Sequence, residues 1–131
     1  MIRFLLVAAG GAIGSMARYG LGLVAGRLAP NAGWPVGTFA ANVSGGLLMG
    51  VLVGWLAFRG GAQQEMVRLF AAVGVLGGFT TFSSYSLEAV QMIERRQIGL
   101  AAAYLIGSVV LAIAALFVGL MVARRAFGVP A

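Results

Sequence analysis

The chain has 131 residues, of which 61% are hydrophobic and 9% charged, and its mean hydropathy is +1.01. Soluble domains carry about 25% charged residues, so this composition excludes a soluble enzyme, a soluble nucleic-acid binder and a disordered chain. It leaves a polytopic membrane protein with almost no extramembrane domain. Nine arginines, no lysine and three glutamates (Glu65, Glu88, Glu94) give a net charge of +6. The arginines stand singly or in pairs between apolar runs, which suits helix ends meeting anionic headgroups rather than a phosphate-tracking patch, so no nucleic acid is expected as a partner. Without cysteine there are no disulfides, and without histidine the usual zinc and haem ligand sets are missing.

The charges divide the chain into neutral stretches at Phe4–Ala17, Leu28–Phe58, Leu69–Leu87 and Gln97–Ala123. A helix crosses a bilayer with about 20 apolar residues, and the last three stretches reach that length unaided. The first falls short, but the neutral pattern resumes beyond Arg18, so residues 3–27 read as one span with one charge inside it. Residues 1–17 also have the ingredients of a signal peptide, which would not need that resumption. A single domain of four helices is therefore expected, at about 3–27, 36–58, 65–94 and 98–123. Trp34 and Trp55 fall near the ends of the second helix, where indoles favour the interface, and Pro35 falls at its first turn.

Orientation is weakly specified. Arg3, Arg59, Arg124 and Arg125, with Arg68 near them, flank one side, and Arg27, Arg95 and Arg96 the other. Four or five against three is a small bias for the rule that sets topology, so insertion in both orientations is expected.

Arg18 lies nine residues from Arg27, or about 13 Å along a helix, too deep for easy snorkelling. It is expected to face protein, a water-filled vestibule, or a carboxylate such as Glu88, either anchoring a helix or attracting an anion. Gly10, Gly14, Arg18, Gly22 and Gly26 recur every four residues in the first helix, and Thr38, Asn42, Gly46, Gly50 and Gly54 in the second. Small residues at this spacing let backbones approach. Asn42 serves equally as interhelical glue or as an amide donor to a passing anion.

The largest local anomaly is the run Gly77-Gly78-Phe79-Thr80-Thr81-Phe82-Ser83-Ser84-Tyr85-Ser86-Leu87-Glu88 inside the third apolar segment. Two glycines with so many hydroxyls and aromatics make poor continuous helix. A break near the middle of this helix is expected, freeing carbonyls for a cation as discontinuous transporter helices do. The competing arrangement is an unbroken helix whose hydroxyls bond back to its own carbonyls. Phe79, Phe82 and Tyr85 fall near one face at helical spacing, and positively polarised ring edges suit an anion. Tyr104 and Ser108 share a face of the last helix.

Together these features, Arg18 in the first span, Asn42 ahead of Gly45-Gly46, and the Gly77–Glu88 run, resemble the CrcB/Fluc fluoride channels over essentially the whole chain. The resemblance implies an all-α membrane protein working as an antiparallel, dual-topology homodimer in the cell (inner) membrane. Fluoride would leave passively through narrow pathways lined by Asn42, Phe82 and Tyr85, with Arg18 in the vestibule and Tyr104 and Ser108 as a polar track. Thr81, Ser84 and Glu88 match the polar part of helix three. A structural sodium ion, not transported, would be held by the backbone carbonyls of Gly77 and Thr80. One departure from the family is Tyr85, where a phenylalanine is usual; its hydroxyl is expected to add a donor for fluoride or water. Two other functions compete. A small multidrug-type proton-coupled exporter would want a carboxylate in its first helix, where this chain has Arg18. A structural membrane subunit would use its glycines and hydroxyls only for packing. An enzyme is not expected, since three glutamates without His or Cys make no convincing acid–base or metal site.

Overall fold

In the computed structural model, which describes residues 1–59 and 63–128, those residues form helices and turns with no strand. Four helical spans are long and apolar enough to cross a membrane: Ile2–Leu28, Val36–Leu56, Gln63–Glu94 and Ile98–Ala126. The physical reason is that hydrocarbon offers no hydrogen-bond partner, so an apolar chain satisfies its backbone internally.

Helix α1 (Ile2–Leu28) ends one residue past Arg27, where the Ala29 N–H still bonds the Ala25 carbonyl at 2.9 Å. A short turn with Gly33 at φ +75° leads to α2 (Val36–Leu56). The far end of α2 is marked by Arg59, whose guanidinium lies 5.3 Å from the centre of the Trp55 ring. The third span has several parts: α3 (Gln63–Val67), a π-helical segment (Arg68–Leu76), α4 (Gly77–Phe79) and α5 (Ser83–Glu94). Between α4 and α5 the backbone leaves helical geometry, with Thr80 extended at φ −85°, ψ 156°. A tight turn through Arg96 (φ +63°) then reverses the chain into α6 (Ile98–Ala126).

Glycine decides which helices meet. Helix α2 packs most extensively on α6, and α1 on the π-helical segment and α4. A Cβ on Gly119 would stand 3.0 Å from the Gly50 Cα and 2.8 Å from the Val51 nitrogen, so α2 and α6 touch backbone to backbone. Gly10 and Gly74 make the same kind of contact between α1 and the π-helical segment. Gly45 and Gly46, neighbours in sequence, point to different helices: Gly45 receives the Thr80 side chain, and Gly46 faces the Ala112 carbonyl of α6. The buried apolar cluster is small, built from Tyr85, Met92, Ala101 and Tyr104, with Trp34, Phe39 and Leu105 against it. Many large apolar side chains, including Phe4, Leu28 and Phe82, stay exposed on the single chain.

Candidate functional site

The site is organised by the non-helical stretch between α4 and α5. With Thr80 extended, the N–H groups that follow cannot return to the carbonyls of α4, and each group needs another partner. The Thr80 N–H and hydroxyl both donate to the Leu76 carbonyl at 3.0 Å. Asn42 of α2 takes both backbone groups of Thr81: the Thr81 N–H donates to Oδ1 at 2.9 Å, and Nδ2 donates to the Thr81 carbonyl at 3.2 Å. From the other side, Nε of Arg18 donates to the Gly78 carbonyl at 3.2 Å. The Thr81 hydroxyl accepts the Ser84 N–H at 3.2 Å and so caps the first turn of α5. The helix dipole leaves partial positive charge at this α5 terminus and partial negative charge at the α4 carbonyls.

A cavity of about 380 Å³ lies beside this turn. Its walls include Asn42, Thr80, Thr81, Phe82, Tyr85 and Ser108, completed by Gly45, Gly46, Met49 and apolar residues of α6. Phe82 is 78% exposed, whereas Tyr85 and Ser108 are buried at 7% and 3%. The Ser108 Oγ has no hydrogen-bond partner among the described residues. A buried hydroxyl left so is costly, and it borders this cavity.

The aromatic residues do not follow the spacing expected of one helix. The turn at Thr80 separates Phe79 from the other two rings, and Phe79 packs against Gly45 instead. Phe82 and Tyr85 remain neighbours, with ring centres 5.6 Å apart. Tyr85 contacts Tyr104 at 5.2 Å, and Tyr104 contacts Trp34 at 6.4 Å, so a row of rings runs from the cavity to the start of α2. The Tyr85 hydroxyl donates to the Leu105 carbonyl at 2.6 Å. That donor is thus committed to α6, contrary to the expectation that it would serve an ion or water.

Glu88 is not the partner of Arg18. The Thr38 hydroxyl donates to its Oε1 at 2.7 Å and the Tyr104 hydroxyl to its Oε2 at 2.9 Å. Among the described residues the one ion pair joins Arg68 to Glu65, at 3.1 Å. Glu88 also borders a second cavity of about 310 Å³, together with Trp34, Gln91 and Arg95. The sequence placed Thr38 in the row of the second helix that contains Asn42, and Tyr104 on a face with Ser108, without pairing either with Glu88. The available signal was spacing: Thr38 stands one helical turn before Asn42 and shares its face.

Among the expected site residues, the structure brings Asn42, Phe82, Tyr85, Ser108, Thr80 and Thr81 to one cavity. Ser84 lies behind Thr81, Arg18 and Gly77 lie on the α4 side, and Tyr104 joins through Tyr85. The arrangement brings an amide, two aromatic rings, a hydroxyl without a partner among the described residues and the start of a helix to the same cavity.

Comparison with known proteins adds the following. A family model described as "CrcB-like protein, Camphor Resistance (CrcB)" matches residues 5–120. A protein of Phenylobacterium zucineum (strain HLK1) is 64% identical over 128 residues, covering 97% of this chain and 99% of its own. One of Caulobacter sp. (strain K31) is 57% identical over 129 residues, covering 98% and 100%. One of Caulobacter vibrioides (strain NA1000 / CB15N) is 58% identical over 127 residues, covering 97% and 99%. All three are named "Fluoride-specific ion channel FluC".

Proposed function

The chain belongs to the CrcB family, and from that membership and the cavity beside Thr80 we propose that it is a fluoride channel of the cell (inner) membrane. It lets fluoride leave the cytoplasm passively and is not an enzyme. The observation that carries this reading is the convergence on one cavity of the Asn42 amide, the Phe82 and Tyr85 rings and the unpartnered Ser108 hydroxyl. Asn42 spends one amide hydrogen on the Thr81 carbonyl and keeps a second for the ion. Ring edges replace part of the hydration shell without a counter-charge, and the α5 N-terminus adds its dipole. Thr81 and Ser84 set that terminus, Tyr104 and Ser108 extend the polar track, and Arg18 borders the vestibule.

The cavity opens on the side of the exposed Phe82 ring, so a second copy in the opposite orientation closes the pathway. The nearly balanced arginines support this antiparallel pairing. A structural sodium ion at the junction of two copies, held by the carbonyls of Gly77 and Thr80, fits the local chemistry. The Thr81 N–H, which an unbroken helix would aim at the Gly77 carbonyl, is taken by Asn42, and Thr80 is extended. Both leave oxygen dipoles for a hard cation, as discontinuous helices provide. When bound, such an ion would supply a positive charge beside the anion pathway, held by the Gly77 and Thr80 carbonyls.

The test is Phe82→Ile in purified protein reconstituted in liposomes. Phe82 is largely exposed, so the isoleucine changes little of the chain's own packing beyond the contact with the Tyr85 ring, while removing a ring edge from the cavity. Fluoride efflux is expected to vanish with the dimer retained on size exclusion; wild-type efflux would refute the pathway.

A further inference from the structure

We infer that Arg18 is a positioning residue: through its Nε–H it holds the carbonyl of Gly78 and so fixes the turn between α4 and α5. This goes beyond its place in the vestibule and deepens the proposed cation site, on which its functional consequence rests. An arginine inside a membrane helix normally needs a counter-charge or water. Among the described residues Arg18 has no carboxylate in salt-bridge range; the contact it does make is to the Gly78 carbonyl.

The reason for that contact lies in the third span. In a continuous helix the Gly78 carbonyl would accept the Phe82 N–H, and the extended Thr80 carries Phe82 away. A carbonyl orphaned at membrane depth costs several kcal/mol, and a cationic donor satisfies it well. The geometry allows this because α1 lies directly against α4. A Cβ on Gly78 would stand 2.6 Å from the Gly11 carbonyl, and one on Gly14 would stand 2.8 Å from the Phe79 nitrogen. Arg18 is one turn beyond Gly14 and reaches the open end of α4.

Asn42 grips Thr81 from α2 while Arg18 grips Gly78 from α1. The extended Thr80 is suspended between two fixed points, and the directions of the Gly77 and Thr80 carbonyls follow from both. Arg18 therefore acts on the cation site by geometry, despite carrying the wrong charge to attract a cation.

Side-chain chemistry separates this role from attraction of the anion by charge. The amide nitrogen of Gln stands the same number of bonds from Cα as the arginine Nε, so Arg18→Gln keeps a donor in place and removes the charge. Arg18→Lys keeps the charge with its ammonium one atom further out, and Arg18→Leu has neither. Two readouts apply to reconstituted protein: deuterium exchange of the backbone over residues 79–83, and the sodium concentration giving half-maximal fluoride efflux with N-methylglucamine replacing sodium. Loss of a charged hydrogen bond in Arg18→Leu is expected to raise both by roughly tenfold, while Arg18→Gln stays within about threefold of the wild type. Should Arg18→Leu fail to fold, the Gln and Lys variants still decide. Wild-type behaviour of Arg18→Lys with large losses in Arg18→Gln would overturn the inference, as would unchanged exchange over 79–83 in all folded variants. Wild-type efflux indifferent to sodium would reject the sodium site alone, with the exchange measurement still deciding the role of Arg18.

Discussion

Tyr85 shows how one hydroxyl is assigned by its surroundings. Its ring borders the cavity, but its O–H donates to the Leu105 carbonyl of α6. The Leu105 oxygen has two lone pairs and can accept from both the helix and Tyr85. The hydroxyl therefore works as a strut between α5 and α6 that holds the ring in place. Tyr85→Phe is expected to lower stability by about 0.5–1.5 kcal/mol, the usual net value of such a bond, and to leave fluoride efflux within about threefold of the wild type. Chemical unfolding in detergent and liposome efflux measure the two. A large loss of efflux at unchanged stability would instead make the hydroxyl an ion ligand. The polar residue types around the cavity were legible in the sequence because an amide, hydroxyls and an arginine are conspicuous in an apolar chain. Their partners were not legible. Asn42 meets Thr81 39 positions away, and Arg18 meets Gly78 60 positions away. Such pairings depend on where helices cross, which spacing along one helix does not encode.

At the scale of helices, the glycine rows carried real information about close packing, and the structure shows which members use it. Gly46, Gly50 and Gly54 all face α6, while in α1 Gly10 and Gly14 face the third span and Gly26 meets nothing within 4 Å. Gly119→Ala would drive its new methyl into the backbone of α2, where neither partner can yield, and is expected to destabilise the chain by about 1–3 kcal/mol. Gly99→Ala, at a position with nothing within 4 Å, is expected to be neutral or to stabilise by up to about 1 kcal/mol. Unfolding of the two variants side by side in one detergent checks the contrast; equal destabilisation would mean that glycine acts here through something other than close approach. The π-helical segment was illegible. It coincides with the contact to α1, with Gly74 against Gly10, and no residue pattern within the segment distinguishes it from α-helix. The pair Gly77-Gly78 drew attention as a breaking point, yet Gly77 is helical at φ −63°, ψ −38°, and the extended residue is Thr80. The second glycine serves the approach of α1 and the threonine changes direction. This displacement also undid the i, i+3, i+6 reasoning for the three aromatic rings, which holds only along one uninterrupted helix.

For the molecule as a whole, the shortage of charge that marked the chain as membrane-embedded also bears on its assembly. Four helices leave the cavity open beside an exposed Phe82, and the proposed second copy covers it in the opposite orientation. Such a pair needs chains inserted both ways, which only a nearly balanced distribution of arginines permits. The balance is easy to upset, because orientation responds to a few positive charges in short loops. Gln63→Arg with Ala126→Arg adds two charges on the side of Arg3, Arg59 and Arg124, whereas Asn31→Arg with Gln97→Arg adds two on the side of Arg27 and Arg95. Each double variant expressed alone is expected to insert in one orientation, as read by accessibility of a C-terminal tag, and to lose fluoride efflux from cells. Co-expression of the two supplies chains of both orientations and is expected to restore most of the wild-type rate. Full efflux from cells in which one variant is present and every tag lies on one side would show that a parallel pair or a lone chain suffices. In that event the open face beside Phe82 would have to be closed by something other than an inverted copy.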